Sequence, residues 1–228
     1  MKIYEIIKEE TSFDEGALSK GLAGAGLATA VALGGFGYDK AKYPDPPKAQ
    51  IPKKQLTHLE VLKQVAKKAG IVGNELTQLI SQASHETLNF SKMAEMGDNK
   101  YLMHKYDIVY RPKKATSLGN LLPGDGVKYK GRGFLQITGR YNYRMAGKAL
   151  GLPLESHPEI LEKPDVAAKA AVWYWTTRVK SNVTNFNDTH GVTNQINPGA
   201  TPHSLASRKK HFSKHKKDAE TALTVPHK

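Results

Sequence analysis

Leu56, Leu59, Leu62, Val65 and Ala66 recur three or four positions apart and stop at Gly70. That is the period of one helical face, and it predicts a helix ending at the glycine. Leu76, Leu79, Ile80 and Ala83 repeat the pattern and predict a second helix over 74–85. A third is predicted from Pro164–Asp165 through the run AAKAAVWYW. Proline suits the first helical turn, and an acid suits the positive end of the helix dipole. β-branched alternation is scarce, so the chain beyond residue 54 is expected to be mainly α. Long irregular stretches are expected at 96–130 and 180–205.

The first 54 residues follow a different pattern. Residues 1–20 carry three lysines against five acids, with Ile3, Ile6 and Ile7 on one face of a short helix. They lack the positive start and apolar core of a secretory signal. Residues 21–37 are seventeen uncharged positions, six of them Gly and five Ala. As a helix they would span roughly 25 Å, short of the hydrocarbon core of about 30 Å. Three readings stand open: a glycine-rich segment that is weakly ordered or packed on a partner such as a virion, a membrane-inserting helix, or a core helix. A fixed bilayer span fits poorly, because the lysines that follow would favour a cytoplasmic location for everything beyond. Residues 38–54 concentrate Pro44, Pro46, Pro47 and Pro52 among five lysines and predict an extended linker. The expected organisation is therefore an N-terminal segment (1–37), a linker (38–54) and one domain (55–228) with a basic tail.

Charge and composition narrow the chemistry. Across 228 residues, 34 Lys+Arg against 21 Asp+Glu give a net charge of +13. Seven basic and two acidic residues in 201–228 place +5 of that in the tail. Such a balance predicts attraction to a polyanion without choosing among nucleic acid, anionic lipid and bacterial wall. The run SRKKHFSKHKK is expected to be a solvated helical face. The absence of cysteine excludes disulfides, thiolate nucleophiles and Cys-ligated metal sites.

Two tempting motifs fail. His85-Glu86 lacks the second histidine of a zinc-protease helix, and Gly126-x4-Gly131 is followed by Arg132-Gly133 where a phosphate-binding loop needs Lys-Ser/Thr. His203, His211 and His215 lack a supporting carboxylate, so no metal or cofactor is expected. A basic face without interleaved aromatics also gives no specific nucleic-acid signal.

What remains is a pair of carboxylates and a polar, glycine-rich segment. Glu86 ends the second predicted helix, and Glu95 lies nine residues on. Nine residues of continuous helix would hold them roughly 13 Å apart. A paired role therefore requires the chain to break and turn back, which Leu88-Asn89-Phe90 could do because Asn tolerates the left-handed region. In GDGVKYKGRGFLQITGRYNY, residues 124–143, four glycines precede Phe134. Gln136, Thr138, Tyr141 and Asn142 then supply two amides, a hydroxyl and a phenol. Such groups hydrogen-bond sugar hydroxyls and N-acetyl groups, and a turn whose polar residues satisfy one another is the competing reading.

His85-Glu86-Thr87, the second glutamate, and the block from Gly131 to Tyr143 resemble the signature of glycoside hydrolase family 19, which comprises plant and bacterial chitinases and related phage endolysins. The resemblance covers roughly residues 56–212. It implies a lysozyme-like, bilobal helical domain with a catalytic cleft. It implies Glu86 as general acid, Glu95 as general base and Thr138 as holder of the attacking water. It also implies sugar-binding roles for His85, Gln136, Tyr141, Asn142 and Asn197, and a place beside the catalytic base for Arg208. Two glycines usually follow the family's His-Glu-Thr/Ser, where Leu88-Asn89 stand here, and its late Ile-Asn-Gly-Gly element departs to Ile196-Asn197-Pro198-Gly199.

Inversion is the implied mechanism. Glu86 would then be protonated while Glu95 is ionised, through burial of the first and a cation such as Arg208 beside the second. Asp98 is the fallback base. Chitin and peptidoglycan both present β-1,4-linked amino sugars. The basic balance and short chain favour peptidoglycan, and hence an endolysin of phage origin acting on the host wall. The alternatives are a chitinase, or a virion structural or membrane-interacting protein that keeps a hydrolase-like domain.

Overall fold

The computed structural model describes residues 56–224, with side chains through 217. The expected segments 1–37 and 38–54, with the membrane, virion and linker readings attached to them, lie outside the described residues. Nine α-helices run in order within them: α1 (His58–Lys68), α2 (Gly73–Glu86), α3 (Asn99–Tyr106), α4 (Pro112–Ser117), α5 (Asp125–Lys128), α6 (Arg140–Leu150), α7 (Pro164–Tyr174), α8 (Thr189–Ile196) and α9 (Pro202–Thr224). A 3₁₀ turn (Pro158–Glu162) precedes α7, and a π-helical turn (Trp175–Val179) extends it. No strand forms among the described residues. Isolated bridges tie Arg132 to Ala94 and to Ile137.

The predicted helices are α1, α2 and α7. Thr57 starts α1 with a reciprocal capping box: its Oγ1 accepts from the Glu60 amide, and the Glu60 carboxylate accepts from the Thr57 amide. The mainly α expectation holds, but the two stretches expected to be irregular contain α3, α4, α5, α8 and the start of α9. Helices α3, α4, α5 and α8 are short and carry few apolar residues, so periodicity is weak in them. Side-chain caps mark α3 and α8 instead: Asp98 Oδ1 accepts from the Tyr101 amide at 2.7 Å, and Asp188 Oδ1 from the His190 amide at 3.0 Å.

Two hydrophobic clusters share one helix. The larger joins α1 and α2 (Leu62, Ala66, Leu76, Leu79, Ile80, Ala83) to Ala167, Ala168, Ala171, Val172 and Trp175. The smaller joins Tyr143, Ala146 and Leu150 of α6 to Leu154, Leu161, Val166 and Ala170. Helix α7 therefore packs on both sides, which explains its alanine-rich, all-round apolar sequence. The segment after Arg132 is divided in the same way, with Phe134 and Leu135 in one cluster and Ile137 in the other. Its polar Gln136 and Thr138 are left to line the open cleft.

Candidate active site

A cleft of about 590 Å³ brings Glu86, Glu95, Gln136, Thr138 and Asn197 together with Lys92, Tyr101, Lys105, Tyr106 and Lys114. That volume lies within the usual range for small-ligand sites. Helix α2 delivers Glu86 at its last position. The chain then breaks where the sequence suggested: Leu88, Asn89 and Phe90 all take positive φ, at 49°, 57° and 65°. Thr87 holds the break, its hydroxyl donating to the Ala83 carbonyl at 2.6 Å and accepting from the Phe90 amide at 2.9 Å. The reversed chain carries Glu95 back to the cleft.

Glu95 is clamped to the glycine-rich segment. Its amide donates to the Gly131 carbonyl at 2.8 Å, and Gly131 returns its own amide to Glu95 Oε2 at 3.2 Å. Glu95 Oε1 accepts from Lys105 Nζ at 2.7 Å and from the Tyr106 hydroxyl at 3.0 Å. Three donors and no acceptor are the complement that an ionised carboxylate satisfies. Burial pushes the Tyr106 phenol up to about 12, so it remains a donor at neutral pH. Burial works against the Lys105 charge, but hydrogen bonds to Glu95, Tyr101 and Tyr106 outweigh it and raise its pKa above the ordinary lysine value.

Three polar groups converge above Gly131. A Cβ at that residue would stand 2.9 Å from Gln136 Oε1, 3.2 Å from Thr138 Oγ1 and 3.3 Å from Glu95 Oε2. Only a bare Cα leaves that room. Thr138 donates its hydroxyl to the Gln136 carbonyl at 2.8 Å, so the lone pairs of its oxygen remain for another partner. Gln136 takes φ of 48° and is held by two hydrogen bonds to the Gly133 carbonyl, from its amide at 3.2 Å and its side chain at 3.0 Å.

Arg208 corrects an expectation. It stands on Glu86 and not beside Glu95: Nη2 donates to Glu86 Oε1 at 2.5 Å, Nη1 to Gln82 Oε1, and Nε to Ser204 Oγ at 3.4 Å. With 1% of its surface exposed, it reaches Glu86 from α9 behind the cleft. The cation beside Glu95 is Lys105. Each glutamate thus has its own cation, and a cation alone does not separate their roles. The difference lies in hydrogen bonding, since Glu95 accepts three bonds and Glu86 accepts from Arg208 through one oxygen.

Of the remaining expected site residues, His85, Tyr141 and Asn142 are not brought to the cleft lining. His85 turns its ring to α9, with Nδ1 3.0 Å from Ser207 Oγ and Nε2 3.0 Å from Ser204 Oγ. Burial, then Arg208, His211 and His203, lower its pKa to about 4, so the ring is neutral at pH 7. Asn142 donates to the Thr138 carbonyl at 2.8 Å and supports Thr138 from behind. Tyr141 is exposed at the start of α6. Asp98 is occupied as the α3 cap. Sequence reasoning missed Lys105, Tyr106 and Lys114. Recognising Asp98 as a cap would have shown that Tyr101 and Lys105 lie one helical turn apart, with Tyr106 next to Lys105.

A family model described as chitinase class I, glycoside hydrolase family 19, matches residues 65–212. An endochitinase of Arabidopsis thaliana is 31% identical over 153 residues, covering 64% of this chain and 49% of its own. A family 19 domain-containing protein of Haemophilus influenzae is 32% identical over 155 residues, covering 58% of this chain and 75% of its own. Chitinase C of Streptomyces griseus has a similar fold, with a TM-score of 0.53 at 23% identity, over 70% of this chain and 81% of its own. A second bacterial family 19 chitinase gives a TM-score of 0.51 at 22% identity, over 70% and 83%. The chain spans half or less of the plant relatives it matches.

Proposed function

Because this chain belongs to glycoside hydrolase family 19, we propose that its cleft hydrolyses β-1,4 bonds between amino sugars by direct displacement with inversion. The observation that carries this reading is the convergence of Glu86 and Glu95 on one cleft, with Thr138 and Gln136 beside Glu95 above a bare glycine. Water held between Glu95 and Thr138 attacks the anomeric carbon, and Glu95 takes its proton. The bond to the leaving sugar breaks as Glu86 protonates the departing oxygen. Such a displacement needs acid and base carboxyls about 6.5–9.5 Å apart, which leaves room for the water. Arg208 fixes one Glu86 oxygen and so aims the other.

Peptidoglycan is the proposed polymer and an endolysin of phage type acting on the host wall the proposed role, supported by the basic balance of the chain. Chitin is the second reading, favoured by the names of the relatives. The test is release of reducing ends, with anomeric configuration followed by NMR, from peptidoglycan and from chitin oligomers. Glu86→Gln and Glu95→Gln are each expected to lower turnover by about 10²-fold or more while keeping the wild-type melting temperature. Turnover retained in either variant at matched concentration would sink the assignment of that residue, and net retention of anomeric configuration would exclude the single displacement.

A further inference from the structure

The cleft holds more positive charge than its two carboxylates can use. Lys92, Lys105 and Lys114 line it together with Glu86 and Glu95. Glu86 is committed to Arg208 and Glu95 to Lys105. Lys92 and Lys114 are both exposed, and no carboxylate among the described residues forms an ion pair with either. Lys114 is also crowded. Its ammonium stands 4.8 Å from the centre of the Tyr106 ring, and the Lys105 ammonium stands 5.0 Å from the same ring. Partial burial and the Lys105 charge lower the Lys114 pKa below its ordinary value. Two ammoniums sharing one aromatic ring repel each other, and an incoming anion relieves that repulsion.

A neutral sugar polymer offers hydroxyls and N-acetyl groups, which can accept from an ammonium but bring it no counter-charge. Amino sugars bearing carboxylates do. Leu88 and Met96 line the same cleft and are more than half exposed, giving apolar contact for the methyl groups of lactyl or alanyl substituents. We infer that Lys92 and Lys114 form a carboxylate-reading subsite, which makes a carboxylate-substituted amino-sugar polymer the substrate class of this cleft. The inference rests on the glycoside hydrolase reading above and names the residues that set its specificity.

The test compares kcat/KM of the full chain on glycan strands stripped of peptide, which keep the lactyl carboxylate, on strands with intact peptide stems, and on chitin oligomers of matched length. The first two arms separate the lactyl from the peptide carboxylate as the group read. Lys92→Gln and Lys114→Gln are each expected to lower the ratio of carboxylated to neutral substrate by about tenfold, the loss of one charge-assisted contact. Lys114→Arg should retain the ratio. A ratio unchanged in both glutamine variants overturns the proposal. A control free of folding effects uses the wild-type chain on strands whose carboxylates are converted to methylamides. The rate should fall to that on chitin, and an undiminished rate overturns the proposal too. If the wild-type chain cleaves none of these polymers, the hydrolase reading fails separately. Titration calorimetry then decides the subsite: tighter binding of carboxylated than of neutral oligomers upholds it, and equal binding overturns it.

Discussion

Leu88, Asn89 and Phe90 occupy the left-handed region in succession, a conformation that costs non-glycine residues about 1–2 kcal/mol each. Asn tolerates it best, and Leu88 has the least compensation, being 54% exposed in the cleft. Leu88→Gly should therefore relieve strain with little loss of buried surface. The expected gain in melting temperature is about 2–4 °C for a domain of this size, and a fall measured by calorimetry would show that Leu88 packing outweighs the strain. Gly131 presents the opposite case. Gly131→Ala would press on Gln136 Oε1, the movable end of a side chain, so stability should change little. The same methyl crowds Thr138 Oγ1 and Glu95 Oε2, and displacing aligned groups by about 1 Å costs about 10²-fold in rate. Turnover should fall at a nearly unchanged melting temperature; equal loss of both would assign Gly131 a role in folding and not in catalysis.

Helix α9 docks on α2 mostly through polar contacts. Ser204, Ser207, Arg208 and His215 face Gln82, Ser84, His85 and Glu86, and a spacing of three and four residues keeps them on one side of the helix. His85 makes this contact pH-sensitive. Its folded pKa of about 4 lies below the ordinary 6.5, so the unfolded chain binds the extra proton first. The resulting stability is complete above about pH 6.5 and is lost as pH falls through that window towards 4. The melting temperature should decline across that range, and His85→Gln should flatten the decline. An unchanged slope would place the acid-sensitive group elsewhere. Legibility at this scale followed burial. Helices α1, α2 and α7 showed their apolar stripes, and the motif around Gly131 showed the site. Helix α6 went unread although Tyr143, Ala146, Gly147 and Leu150 follow the helical period, because its first turn is also the polar end of that motif. Arg208 was misplaced because the sequence could not show which glutamate α9 would reach.

For the whole molecule, part of the net charge of +13 sits in two places among the described residues. In the cleft, Lys92 and Lys114 line the wall. On α9, Arg208 is buried against α2 while Lys209, Lys210 and Lys214 are exposed, so one helix serves the site with its inner side and presents positive charge with its outer side. The expected solvated helical face is thus present, although the same helix also supplies Arg208. Exposed charge acts over the screening length, which falls from about 10 Å at 0.1 M salt to about 3 Å at 1 M. A buried contact such as Arg208 to Glu86 is screened far less. Sedimentation of the full chain with intact bacterial walls should therefore weaken several-fold across that salt range. Cleavage of a short neutral oligomer, which needs no long-range attraction, should stay within about twofold. Replacing Lys209, Lys210 and Lys214 together by Gln should reproduce the loss of wall binding at low salt without reducing oligomer turnover. Wall binding that ignores both salt and the triple substitution would mean that the wall is held by the cleft alone, with the charge of α9 playing no part in adhesion.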